Sequence, residues 1–296
     1  MCNSLLGCAV ADALGMPFER KLPTDTLLIN WDGRTFLPSV SHKLKAGQFT
    51  DDTEMSIMVA ESLITNNGFN PDDLSRRYIN WIDSGLARGY GRTTFAAINN
   101  LRNGIHWSKS GILNSNKNGS AMRAASFGIY FNNDINTLLN CVKIDSNITH
   151  VSDNTTAGAQ AIALAAAYIV NNDIENLLKK IVSQICDCEV KNKIILANDL
   201  AKNNKISISS ALTLLGTKTD VRETVPSALY CFIKFNSYIE AVVAAIRAGF
   251  DTDTTASIVG ALFGAKVGIN EIPKYLISQV ENNQYIINLD YKLNKL

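Results

Sequence analysis

Apolar positions recur at helical spacing along nearly the whole chain. After Thr53, the residues Met55, Met58, Val59, Ser62 and Leu63 follow one another at steps of three and four, which marks one face of a helix. Residues 157–170 (AGAQAIALAAAYIV) form an alanine-rich run, and alanine is the strongest intrinsic helix former. Residues 238–248 and 254–267 read the same way. The second of these carries Gly260, Ala261, Gly264 and Ala265, small side chains at a spacing that lets helices pack closely. Short polar links at 66–68, 132–134 and 171–173 separate such runs, and the pattern predicts roughly ten or more helices. Strand-like segments at 27–30 and 206–209 are too short to support a sheet. The longest irregular stretch covers residues 32–48, and loops of that length are often functional. An all-α fold is predicted.

Composition narrows the function without naming it. Hydrophobic residues are 46% and charged residues 19% of the 296 positions, which excludes disorder. A chain this long buries enough core to fold without a metal or a disulfide. Lys and Arg number 28 against 27 Asp and Glu, a formal net charge of +1, so no nucleic-acid partner is expected. A local anion pocket remains open. The six cysteines (Cys2, Cys8, Cys141, Cys186, Cys188, Cys231) form no C-x-x-C pair and have no histidine at zinc-ligand spacing. Reduced, mostly buried thiols in a reducing cytosol are expected. No apolar run reaches about 20 residues, and the opening MCNSLLGCAVADALG lacks a basic start and contains Asp12. The sequence therefore predicts neither a membrane span nor a signal peptide, and a cytoplasmic protein.

Two acidic clusters stand at opposite ends of the chain. The first is Thr50-Asp51-Asp52-Thr53-Glu54 and the second Asp251-Thr252-Asp253-Thr254-Thr255, each immediately before an apolar helical run. Helix capping explains one side chain in each, because Thr and Asp are preferred N-caps and acids suit the first turn. A cap needs only one residue, whereas each segment supplies two carboxylates and flanking hydroxyls. Brought together, each pair of like charges at ~4 Å costs about 4 kcal/mol at an effective dielectric of 20. Such a site demands protons or a cation. Its hard oxygen donors select Mg²⁺ or Mn²⁺, or Ca²⁺, over zinc or copper. Spacing alone does not bring the clusters together.

Weaker signals lie between them. Residues 115–120 (SNKNGS) precede an apolar run and read either as a polar turn or as an anion cradle at a helix start. His150 reads as a cap or a structural residue, His42 lies in the long irregular stretch, and His106 beside Trp107 is uninformative.

The ordered set of motifs resembles the ADP-ribosylglycohydrolase family. Residues 11–19 (ADALGMPFE) look like its N-terminal helix and turn, with Ala11 in place of a glycine. Thr50-Asp51-Asp52-Thr53 is similar to its first metal motif. Gly91-Arg92-Thr93-Thr94, then residues 118–123 (NGSAMR), then Thr149-His150, and finally Asp251-Thr252-Asp253-Thr254 follow in the family's order. The resemblance implies an all-α, compact single-domain orthogonal helical bundle over residues 1–296, with a metal site in a cleft. Two Mg²⁺ (or Mn²⁺) ions would be held by Thr50, Asp51, Asp52, Asp251, Asp253 and Thr254. Glu19 and Asp52 would be the acid/base pair, and Glu19 a further ligand or a gate. Glu19, Gly91, Ser115, Asn118, Gly119 and His150 would bind the substrate.

The activity so implied is hydrolysis of the glycosidic bond between ADP-ribose and a modified protein side chain. Arginine is the leading candidate. The alternatives are ADP-ribosylserine, a small ADP-ribose conjugate, or a non-catalytic ADP-ribose-binding or immunity protein. Expected partners are the ADP-ribosylated protein, ADP-ribose and a cognate ADP-ribosyltransferase, with the chain itself a monomer. Three departures from the family pattern bear on the site. No acid follows Asp83 before Gly91, where several relatives carry an Asp. Phe250 replaces a common glycine and is expected to shape the pocket. Lys117 replaces a small residue, as a phosphate contact or a solvated side chain.

Overall fold

In the computed structural model, which describes residues 2–295, the Ser4–Gly15 helix lies antiparallel against the Thr252–Val267 helix. Glycine makes this seam possible. A Cβ on Gly7 would stand 2.2 Å from the carbonyl oxygen of Gly260, and one on Gly260 equally close to that of Gly7. Any larger side chain at either position would force the helices apart. The seam carries the start of the chain to its far end, so Gly15 meets the backbone of Thr252. Both helices are buried along almost every face, which is why neither shows a clean amphipathic stripe in the sequence.

Seventeen α-helices span the described residues, and the only sheet among them is a two-stranded parallel pair, Ile112–Leu113 with His150–Val151. The all-α prediction holds. Neither strand-like segment is a strand: 27–30 lies in the Thr26–Asn30 helix, capped by Asp25, which accepts from the Leu27 amide, and 206–209 straddles the start of the Ile208–Leu215 helix, capped by Ser207, which accepts from the Ser210 amide. In each case a local cap outweighs a short alternating pattern. The alanine-rich run forms the buried Asp153–Val170 helix, opened by a reciprocal capping box between Ser152 and Thr155.

The irregular stretch between the Thr26–Asn30 and Asp51–Asn66 helices is fastened to the core by Trp31, Phe36 and Phe49, all buried. The Trp31 ring packs on Phe18, centroids 5.0 Å apart, just beyond the first helix. The loop therefore folds back over the C-terminal end of that helix. Of the six thiols, Cys2, Cys8, Cys141 and Cys231 are buried, Cys188 is half-buried and Cys186 exposed, and none is in a disulfide. No described helix is long and apolar enough to cross a membrane.

Candidate functional site

The N-termini of the Asp51–Asn66 and Thr252–Val267 helices converge beside the end of the first helix. Neither helix is capped by its own N-cap side chain, Thr50 or Asp251. The first is capped from elsewhere, by the buried Asp12. Its carboxylate accepts from the Thr50 amide (3.1 Å) and hydroxyl (2.9 Å), and from the Thr53 amide (3.1 Å) and hydroxyl (2.6 Å). Asp51 and Asp52 are thereby released from capping. Asp52 then joins the two clusters: one oxygen accepts from the Thr254 hydroxyl at 3.3 Å, and the other from Ser257 at 2.8 Å. Asp251 accepts from the Asn118 amide group at 2.6 Å, and Asp253 from the Thr254 amide at 3.0 Å.

The electrostatics of this convergence are unfavourable without a counter-charge. Asp51, Asp52, Asp251 and Asp253 are all buried. Burial, and then the charges of neighbouring carboxylates, push Asp51, Asp52 and Asp253 well above the usual carboxylate range. Burial raises Asp251 as well, against the hydrogen bond it accepts from Asn118. The charged neighbours acting most strongly on Asp51, Asp52 and Asp253 are themselves acids. Carboxylate and hydroxyl oxygens aimed at one place, with excess negative charge, fit a hard divalent cation.

Glu19 follows the short Met16–Phe18 turn, and although Arg20 and Lys21 come next in the chain it is largely withdrawn from solvent. Its carboxylate is 13% exposed and lies 2.5 Å from His42 Nε2. Burial pushes Glu19 up, but the hydrogen bond and charge of His42, with Arg20, hold it below its ordinary value. Glu19, His42 and Asp253 each offer a ligand atom within 4.8 Å of the others. A ring nitrogen thus stands beside a donor set that the sequence presents as oxygen only. His42 sits in a loop without periodicity, and nothing in the sequence pairs it with Glu19.

Above this floor opens a cleft of about 470 Å³, whose walls include Gly91, Asn118, Gly119 and His150, with Arg20, Arg92 and Lys117 adding positive charge. Lys117 donates to the Thr219 hydroxyl at 2.8 Å. Ser115 does not line the cleft; its carbonyl accepts from Ser152, at the start of the alanine-rich helix. The anticipated helix start after residues 115–120 is absent. Residues 119–124 are turns and the helix begins at Ala125, because buried Arg123 donates to the Gly119 carbonyl at 3.0 Å and draws the segment inward.

Arg123 also donates to the Thr149 hydroxyl at 3.0 Å, and that oxygen lies within hydrogen-bond distance of His150 Nδ1, 2.7 Å away. Burial, and after it Arg123, lowers His150 to about 3, so the ring stays neutral. Gly119 accommodates it: a Cβ there would lie 2.7 Å from His150 Cε1.

Two departures find their places. Gly89, at φ +72°, presses against the first cluster, where a Cβ would lie 2.9 Å from Asp51 Oδ1. The segment therefore brings backbone, not a carboxylate, to that point. Phe250 does not line the cleft. Its ring lines a separate cavity of about 820 Å³, while its backbone, at φ +62°, exchanges hydrogen bonds with Arg20 and Lys21. It ties the Glu19 turn to Asp251 rather than shaping the pocket.

The family profile for ADP-ribosylglycohydrolase matches residues 1–295. The chain belongs to the ADP-ribosylglycohydrolase family. It is 31% identical to an uncharacterised protein of Archaeoglobus fulgidus, covering 99% of this chain and 95% of that one. It is 25% identical to the ADP-ribosylarginine hydrolase Tri1 of Pseudomonas putida (98% and 76% covered) and 24% identical to human ADP-ribosylhydrolase ARH3 (91% and 86%). A solved structure titled ADP-ribosylglycohydrolase-related protein complex shares the fold, with a TM-score of 0.76 at 21% identity over 99% of this chain and 96% of that one. The ADP-ribosylglycohydrolase motifs of the sequence include Asp12 and Arg123, yet the spacing of residues gives neither its role. Both act across long separations.

Proposed function

We propose that this member of the family is a hydrolase that releases ADP-ribose from a modified protein, with arginine as the modified side chain. The observation that carries the reading is the meeting of Asp51 and Asp52 with Asp251 and Asp253 at the floor of one cleft, joined through Asp52 and the Thr254 hydroxyl. Thr50, Asp51, Asp52, Asp251, Asp253 and Thr254 would hold two Mg²⁺ or Mn²⁺ ions. When bound, the ions supply Lewis acidity that orients the ribose hydroxyls and a water.

The chain's own residues do the rest. The Gly119 backbone and the neutral His150 ring offer uncharged polar groups to the diphosphate, and Lys117 adds a cation from the rim. Asn118, whose amide group is held by Asp251 and Thr224, ties this wall to the acidic floor. Glu19 and Asp52 handle the proton. Glu19 opens on the cleft beside Asp253, whereas Asp52 has hydroxyl donors on both oxygens, which favours Glu19 for transfer and Asp52 for positioning. Surrounding carboxylates stabilise positive charge as the sugar approaches an oxocarbenium-like state.

The relatives named for arginine hydrolysis and as ARH3 match at near-equal identity, so sequence likeness does not choose the side chain. The test is incubation with arginine- and serine-ADP-ribosylated peptides, with and without Mg²⁺, following free ADP-ribose. Metal-dependent release from the arginine peptide is expected, and loss of it in Asp253→Asn. Release that persists in chelator, or in that variant, would defeat the reading.

A further inference from the structure

One wall of the cleft is aromatic, and it rises beside the acidic floor. Tyr90 is 38% exposed and, apart from His150, is the only aromatic residue lining the cleft among the described residues. Its ring stacks on Phe95, centroids 5.6 Å apart at 19°, and meets Trp81 at 5.7 Å and 75°. Trp81 is fixed in turn by a hydrogen bond to Glu54 at 2.9 Å. Arg88, two residues before Tyr90, is clamped by Glu54 at 3.0 Å and Glu281 at 2.7 Å. The ring is thus held in place while much of it stays open to solvent.

Its location follows from the neighbouring residue. Gly89 rests against Thr50 and Asp51, so Tyr90 rises directly from the acidic floor. Gly119, where the diphosphate is proposed to lie, packs against His150 and beside Thr94, which is farther along the same segment than Tyr90. A ribose held over the acids would point its anomeric substituent towards Tyr90.

We propose that Tyr90 is a specificity-determining residue, the platform on which the planar cationic guanidinium of ADP-ribosylarginine stacks. The assignment rests on the hydrolase reading above. A guanidinium gains from an aromatic face both by cation–π attraction and by stacking. The ether oxygen of ADP-ribosylserine brings neither a plane nor a charge, so the platform discriminates between the two leaving groups.

The test compares wild type with Tyr90→Ala, Tyr90→Leu and Tyr90→Phe, in saturating Mg²⁺, on arginine- and serine-modified peptides. Affinity for free ADP-ribose is measured alongside by calorimetry. Tyr90→Ala and Tyr90→Leu should raise KM for the arginine peptide about five- to twentyfold, the scale of a lost cation–π contact. They should leave kcat, the serine peptide and ADP-ribose affinity within about twofold, and Tyr90→Phe should match wild type. An unchanged arginine KM, or an equal loss for free ADP-ribose, overturns the role of Tyr90 and leaves the hydrolase reading standing. So does a wild type that acts on the serine peptide alone. A wild type that cleaves neither peptide overturns the hydrolase reading, and this assignment with it.

Discussion

Asp12 holds Thr53 by two hydrogen bonds, from its amide at 3.1 Å and its hydroxyl at 2.6 Å, across a separation of 41 residues. With the matching pair to Thr50, this makes a buried carboxylate on one helix the cap of another. The consequence is chemical as well as structural, since a helix capped from outside keeps its own first-turn acids free.

The first prediction separates the two partners. In saturating Mg²⁺, Thr53→Ala should cost about 1 kcal/mol, the usual loss of one capping bond. Asp12→Ala leaves several buried donors without an acceptor and should cost about 3 kcal/mol or more. It should also weaken Mg²⁺ binding, because the start of the Asp51–Asn66 helix loses its anchor. Urea titration and calorimetry read the two effects. Equal, small losses in both variants would show that Asp12 does not set the helix start.

What was legible in the sequence was local. The helical period, the alanine-rich core and the two acidic clusters are written in neighbouring residues. Their meeting is not, for it depends on the Gly7–Gly260 seam and on Asp12, contacts between distant segments. Ser115 fits a phosphate loop by motif, yet the loop turns on Arg123 and leaves Ser115 outside the cleft. His42 gives no periodic signal at all. Its partner Glu19 is named by the motif, but the hydrogen bond between them forms only once the long loop is folded back.

The second prediction concerns that pair. Glu19→Gln keeps size and one acceptor oxygen but removes charge and proton transfer. Turnover should fall about 10²-fold or more, with ADP-ribose bound within about tenfold of wild type. His42→Ala frees Glu19 without removing it, so the expected loss is smaller, about tenfold, and reflects a carboxylate no longer held in place. Steady-state kinetics on the arginine peptide measure both. A larger loss in His42→Ala than in Glu19→Gln would reverse the assignment.

A third prediction is a pH dependence of stability. Asp290 caps the first helix from the C-terminal helix, accepting from the amides of Leu5 and Leu6, both at 3.0 Å. Burial pushes it up to about 7, against an unfolded value near ~3.9. The folded state therefore favours the protonated acid, and the associated stability is present below about pH 4 and lost as pH rises through about 7. Between pH 6 and 8 the expected loss is roughly 1 kcal/mol. Unfolding in saturating Mg²⁺ keeps the cleft acids ionised, and Asp290→Asn should flatten the slope even where it lowers stability overall. An unchanged slope in that variant would assign the titration to another group.

The last prediction tests how the donor wall of the cleft is held. Arg123 and Asp145 are fully buried and joined at 3.0 Å, with Tyr78 donating to Asp145 at 3.2 Å and its ring 5.1 Å from the guanidinium. The same guanidinium reaches the Gly119 carbonyl and the Thr149 hydroxyl, so one side chain braces both the turn and the hydroxyl beside His150. Removing one partner of a buried pair strands the other charge, a loss of about 3–5 kcal/mol. Arg123→Met should therefore destabilise strongly, while Arg123→Met with Asp145→Leu should recover much of that stability. The double variant still lacks the bonds to Gly119 and Thr149. It should fold, bind Mg²⁺ near normally and bind ADP-ribose at least about tenfold more weakly, because the Thr149 hydroxyl is free to turn away from His150 Nδ1 and the turn at Gly119 is unfastened. Thermal melts with calorimetry for both ligands distinguish these outcomes. Normal ADP-ribose affinity in the stable double variant would mean that the wall keeps its shape without Arg123.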